Sequence, residues 1–203
     1  MKLESIYADV LNAAQAFDKT KSDMVYGEGD ENAAVMLIGE APGAEETKLL
    51  RPFVGKAGKN LDEFLFALML RRQDIYITNV VKFRPYKTSE KGTLSNRAPE
   101  KQELAVMTPL LLREIEAIAP RVVVTLGNVP LKALHGSNAT IGESHAVPVA
   151  AHALSHRFMV FPLYHPASII YNRALKAVYD DDLKKLRGFL DAIGISPKFK
   201  RTL

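Results

Sequence analysis

The chain has 203 residues, no cysteine and a formal charge of +4 from 27 basic and 23 acidic side chains, a length that suits one domain with a full core. The absence of thiols excludes disulfides, thiolate nucleophiles, cysteine-built zinc sites and iron–sulfur clusters. A composition of 47% hydrophobic and 25% charged residues is an ordinary globular balance, and no run approaches the roughly 18 apolar residues of a membrane span. The start MKLESIYADVLNAA is acidic and amphipathic, without the basic start, apolar run and cleavage site of a signal peptide. A soluble cytoplasmic protein with no membrane partner is expected.

Along the chain, Leu3, Ile6, Tyr7, Val10, Leu11, Ala14 and Phe17 recur at helical spacing and predict an amphipathic helix over 3–17. A polar loop follows to about Asn32. Four short apolar runs rich in β-branched residues, Ala34–Ile38, Ile75–Val80, Val122–Leu126 and Phe158–Leu163, read as strands buried on both faces. Helical patterns separate and follow them at Asn60–Leu70, Pro99–Ile118, Pro130–His135 and Leu175–Ile193. Such alternation implies a parallel sheet covered on both sides, with functional loops gathered at the carboxyl ends of its strands. The loop Arg84–Ala98 is long and polar, with three basic residues after Arg84; it is either a surface excursion or a binding loop.

The stretch Val35-Met-Leu-Ile-Gly-Glu-Ala-Pro-Gly-Ala-Glu-Glu runs from a strand into a Gly/Pro-rich turn and is followed by Arg51-Pro-Phe-Val-Gly-Lys-Ala-Gly58. It brings backbone amides and the carboxylate of Glu40 to a sheet edge. It is neither a dinucleotide fingerprint nor a Walker loop.

Five blocks in order, GEAPGAEE, RPFVGKAG, YITNVVKFRP, VVVTLG and YHPAS, resemble the motifs of the type-4 uracil-DNA glycosylases, the iron–sulfur branch of the uracil-DNA glycosylase superfamily, over roughly positions 25–190. The resemblance implies a three-layer α/β/α sandwich with a central, mainly parallel four-stranded sheet. It implies one domain over 1–203, with the N-terminal helix, a catalytic core at about 25–193 and a short basic tail. It implies an enzyme that releases uracil from DNA, leaves an abasic site and works as a monomer without a cofactor.

Such an enzyme rotates the damaged nucleotide out of the stack and holds its base in a pocket. By the resemblance, Phe53 stacks on the everted pyrimidine, and Asn79 reads uracil O4 and N3–H with one amide. Gly39 and Ala41 complete the uracil pocket. His165 donates to O2 as negative charge grows on the departing ring. Glu40 orients the water or stabilises a cationic sugar. Taken singly, each has a plainer reading: core aromatic, strand-end cap, satisfied turn histidine, solvated carboxylate. For DNA, Ile169, Ile170 or Tyr171 are wedge candidates, though two of these three also suit the core face of the last helix. Ser168, Arg173, Lys56, Lys59 and the backbone amides around Gly43 and Gly55 are candidates for phosphate contacts.

The chain departs from that branch in its cluster. The third and fourth cluster cysteines fall on Phe83 and about Met107, and the N-terminal pair has no counterpart among residues 11–17; apolar packing is expected to fill the space. The Arg84–Ala98 loop is longer than the proline-rich segment typical there. No Lys-Arg-Arg-Ile-His insert of the covalently trapping branch is present, and Lys82 is the lysine nearest the matched motifs.

Two rivals come from other classes. A binding protein that kept the pocket and lost turnover is opposed by the intact Glu40, Asn79 and His165. A metal hydrolase built on His145, His152, His156 and His165 lacks the glutamate of H-E-x-x-H; Pro148 and its polar surroundings indicate a loop or hairpin with surface histidines. No G-x-S-x-G elbow supports a serine hydrolase.

Overall fold

The computed structural model describes residues 2–168, 172 and 174–199. Among these, helices α1 (Lys2–Ala14), α2 (Ala44–Leu49), α3 (Lys56–Ala67), α4 (Lys101–Ile118), α5 (Asn128–His135), α6 (Ile141–Ser144) and α7 (Leu175–Ala192) surround strands β1 (Glu28–Gly29), β2 (Val35–Gly39), β3 (Tyr76–Asn79), β6 (Val122–Leu126), β7 (Val149–Ala153) and β8 (His156–Leu163). These strands form one sheet in the order β1-β3-β2-β6-β8-β7.

The four expected strands are its centre, and β3, β2, β6 and β8 pair in parallel throughout. Two antiparallel edges, β1 and β7, extend them. The edges left little trace in the sequence because β1 is two residues long and β7 buries only alternate side chains. The central strands show apolar runs because both of their faces are covered.

Period-two alternation distributes the side chains between two cores. Met36, Ile38 and Val123 face Val10, Leu111 and Ile115 of α1 and α4. Val35, Leu37 and Val124 face Leu61, Phe64, Leu183 and Leu186 of α3 and α7. The result is an α/β/α sandwich.

Three segments differ from expectation. Helix α3 begins at Lys56, a turn earlier than its apolar stripe, because Lys56-Ala-Gly58 has no large apolar residue to mark it. Helix α2 was unmarked, having no buried residue to create a period. The segment 84–98 contains a two-stranded hairpin, β4 (Tyr86–Thr88) and β5 (Leu94–Asn96), exposed on every residue.

Phe83 and Met107 lie fully within the first core. Phe17 packs on Phe83 with ring centroids 5.5 Å apart, and Lys19 Nζ sits 5.7 Å from the same ring. The corner that would carry cluster ligands is hydrocarbon and thioether, and a cluster does not fit these residues.

Candidate active site

The carboxyl ends of the parallel strands converge on a cleft of about 460 Å³ lined by Ala41, Gly43, Phe53, Asn79, Asn96 and His165, among others, a size ordinary for a small-molecule site. Gly39 and Asn79 are register partners at the ends of β2 and β3; His165 follows β8 by two residues. Gly39 must lack a side chain: a Cβ there would lie 2.4 Å from Asn79 Oδ1 and 2.5 Å from Phe53 Cζ. Amide, ring and strand end therefore touch.

Phe53 is buried at 5% exposure and adopts the left-handed conformation, φ 53°, which costs a non-glycine residue about 1–2 kcal/mol. Contacts on both sides hold it there. Arg72 donates to Phe53 O at 2.5 Å and Pro52 O at 3.3 Å. Glu46 Oε1 accepts from Val54 N–H at 3.1 Å and Gly55 N–H at 2.7 Å, while Oε2 accepts from Gly43 N–H at 3.1 Å. Gly58 allows the close approach, since its Cβ would fall 2.1 Å from Phe53 O. The Phe53 ring lies at 23° to the His165 ring, with centroids 6.0 Å apart.

His165 Nδ1 accepts from Ala167 N–H at 3.1 Å. The neutral ring therefore carries its proton on Nε2. Burial pulls His165 from 6.5 down to about 4, against a small opposing pull from Glu46, so the imidazole is neutral at physiological pH. Asn60 Nδ2 donates to Pro166 O at 2.9 Å and ties this turn to α3.

Glu40 does not share that cleft. It lines an adjoining cavity of about 230 Å³ with Ala41, Pro42, Pro85, Asn96, Arg97 and His165. His165, Ala41 and Asn96 border both spaces, so the two chambers are immediate neighbours. Burial raises the Glu40 carboxyl above its ordinary value.

Beneath Asn79 lies a buried polar network. Lys82 Nζ donates to Asn79 O at 2.5 Å, Thr78 Oγ1 at 2.7 Å and Glu114 Oε2 at 2.5 Å. The exposures of Lys82 and Glu114 are 1% and 0%. Tyr7 and Tyr76 hydroxyls donate to Glu114 Oε1 at 3.1 and 3.2 Å. Burial draws the Lys82 ammonium below its ordinary range against the pull of Glu114. All three ammonium hydrogens are engaged, so Lys82 is not poised to attack a sugar.

Other expected contacts fare differently. The Gly43 and Gly55 amides, nominated for phosphates, already serve Glu46. Ser168 is half-buried, its N–H donating to His165 O at 2.8 Å. Lys56 opens α3. Ile169, Ile170, Tyr171 and Arg173 lie outside the described residues. The histidines expected at the surface divide. His152 is exposed, but half-buried His145 bonds fully buried Asp182 at 2.7 Å. His156 bonds Pro120 O at 2.7 Å. No group of three or more metal-ligating side chains occurs among the described residues, and no helix there is long and apolar enough to cross a membrane.

Glu46, Arg72, Asn60 and Asn96 escaped the sequence reading. Only Glu46 left a signal, an acid three residues after the glycine preceding α2.

Residues 26–187 match the model of the uracil DNA glycosylase superfamily. The type-4 uracil-DNA glycosylase of Sulfurisphaera tokodaii is 35% identical, covering 97% of this chain and 86% of its own. That of Archaeoglobus fulgidus is 34% identical, covering 91% of each. That of Thermotoga maritima is 36% identical, covering 86% of each.

Proposed function

The chain belongs to the uracil DNA glycosylase superfamily, and on that premise we propose that it hydrolyses the N-glycosidic bond of uracil in DNA, leaving an abasic site. The observation carrying this reading is the convergence of an aromatic ring, a side-chain amide and an Nε2-protonated imidazole on one cleft.

The everted uracil lies against Phe53, beside Gly39 and Ala41, and Asn79 pairs with O4 and N3–H. As C1′–N1 lengthens, N1 takes the bonding electrons and the charge spreads to O2, where His165 Nε2–H donates. A neutral donor suffices, because it strengthens its bond as the anion forms and transfers no proton. On the other side of His165, Glu40 orients the water that adds to C1′. The water's oxygen forms the new bond, its proton passes to Glu40, and uracil leaves as the anion. No amine is used, so the enzyme is monofunctional. Ser168 and Lys56, together with Ile169 and Arg173 beyond the described residues, belong to the DNA side, and the protein acts as a cytoplasmic monomer.

The test is incubation with a uracil-containing oligonucleotide followed by alkali. Strand breakage at the uracil, lost in His165→Ala and absent from a thymine control, is expected; an intact strand overturns the reading.

A further inference from the structure

Between Pro85 and Arg97 the chain leaves the body of the protein as the β4–β5 hairpin and returns. Its turn is closed locally: Ser89 N–H donates to Thr93 O at 3.0 Å and Gly92 N–H to Ser89 O at 2.9 Å. A two-stranded ribbon by itself is marginal in water. This one is anchored at its root. Arg97 donates to both oxygens of the buried Glu103 at 2.7 and 2.8 Å and to Tyr86 O at 3.2 Å. Lys19 Nζ sits 4.3 Å above the Tyr86 ring, and Arg84 donates to Asn96 Oδ1 at 2.7 Å.

The anchored root borders the active site. Asn96 lines both chambers, and Pro85 and Arg97 line the one holding Glu40. Residues paired across an antiparallel ladder project to the same face. The register Tyr86↔Asn96 and Thr88↔Leu94 therefore places Thr88 and Leu94 on the Asn96 face, farther out from the cleft mouth. Leu94 is 47% exposed, and Lys91 sits in the turn beyond it.

We propose that this hairpin is a second DNA contact, built to meet the nucleotide beside the everted one. The proposal rests on the glycosylase reading of the cleft. A strand feeding its base past Asn96 brings the neighbouring base or sugar against Leu94. An apolar side chain suits the base face laid bare when the stack opens. Lys91 reaches a backbone phosphate, a contact that adds affinity without reading sequence.

The experiment compares wild type with Leu94→Asp, Lys91→Ala and a trimmed chain in which residues 88–94 are replaced by Asn-Gly, a two-residue turn that keeps Tyr86, Asn96 and Arg97. Binding to a uracil oligonucleotide is read by fluorescence anisotropy across salt concentrations, beside single-turnover cleavage at saturating enzyme and inhibition by free uracil. Leu94→Asp and the trimmed chain should bind DNA about tenfold more weakly, and Lys91→Ala should lower the salt slope by about one. Saturated cleavage and inhibition by uracil should not change. Unaltered DNA binding in the trimmed chain overturns the proposal, as does a parallel loss of uracil inhibition, which would mean that the cleft itself was damaged. If wild type releases no uracil, the glycosylase reading fails, and the binding curves still decide the hairpin's role.

Discussion

Ala167 N–H donates to Nδ1 of His165 at 3.1 Å, and this one bond decides which ring nitrogen carries the proton. A backbone donor two residues on cannot be met by a protonated Nδ1, so the turn selects the Nε2–H tautomer. Replacing His165 with alanine removes that donor and should slow the chemical step by about 10²-fold or more, while uracil-DNA binding changes little. Equal losses in single-turnover rate and in affinity would remove its transition-state role.

The pH profile should follow Glu40. Burial holds His165 near 4 and lifts Glu40 above the ordinary carboxyl value, so on acidification Glu40 is protonated first. The single-turnover rate should fall as pH drops through the raised Glu40 value, and residual activity of Glu40→Gln should persist to lower pH. A limb near 6.5 that persists in Glu40→Gln would instead mean that an imidazolium forms and that the burial argument is wrong.

Stability carries the complementary sign. Between 6.5 and about 4 the unfolded chain protonates His165 while the folded chain does not, so this contribution is present above 6.5 and is lost as pH falls toward 4. Urea titrations should show that decline in wild type and a shallower one in His165→Gln.

At the base-reading end, Asn79→Asp should erode discrimination between uracil and cytosine, since a carboxylate lacks the donor for O4. Gly39→Ala should lower activity without unfolding the protein, because the new methyl meets the Asn79 amide and the tip of the Phe53 ring. Cleavage of paired uracil and cytosine oligonucleotides reads the first change, and single-turnover rates beside a thermal melt read the second. An unchanged base preference, or a full rate in Gly39→Ala, would break the assigned geometry.

The pair under β3 gives a stability prediction. Lys82→Met alone leaves Glu114 charged and buried and should cost about 3–5 kcal/mol, whereas Lys82→Met with Glu114→Leu should recover much of that loss. Denaturant unfolding checks it; a double variant no more stable than the single would show that the two charges are not coupled as the geometry indicates.

Much of this arrangement was legible in the residues. Val35–Ile38, Val122–Leu126 and their partners were evident because strands covered on both faces cannot hide their hydrophobicity. Phe53, in the turn before α3, and Asn79 and His165, at strand ends, stood in ordered motifs, and the chain brings them together. Arg72 and Asn96 were invisible, and Glu46 left only its place three residues after Gly43, because their work is tertiary: a guanidinium on the Phe53 carbonyl, an amide at a hairpin root, a carboxylate spanning two turns. The hairpin gave no alternation because both of its faces meet solvent. Glu40 was expected beside the other three, and it lines a space that adjoins theirs and shares Ala41, Asn96 and His165 with it.

The corner closed by Phe17, Phe83 and Met107 separates this protein's upkeep from the cell's metal economy. Two aromatic rings and one buried thioether need no assembly machinery and hold no labile inorganic core. The integrity of this corner therefore depends on side-chain packing alone and draws on no supply of iron.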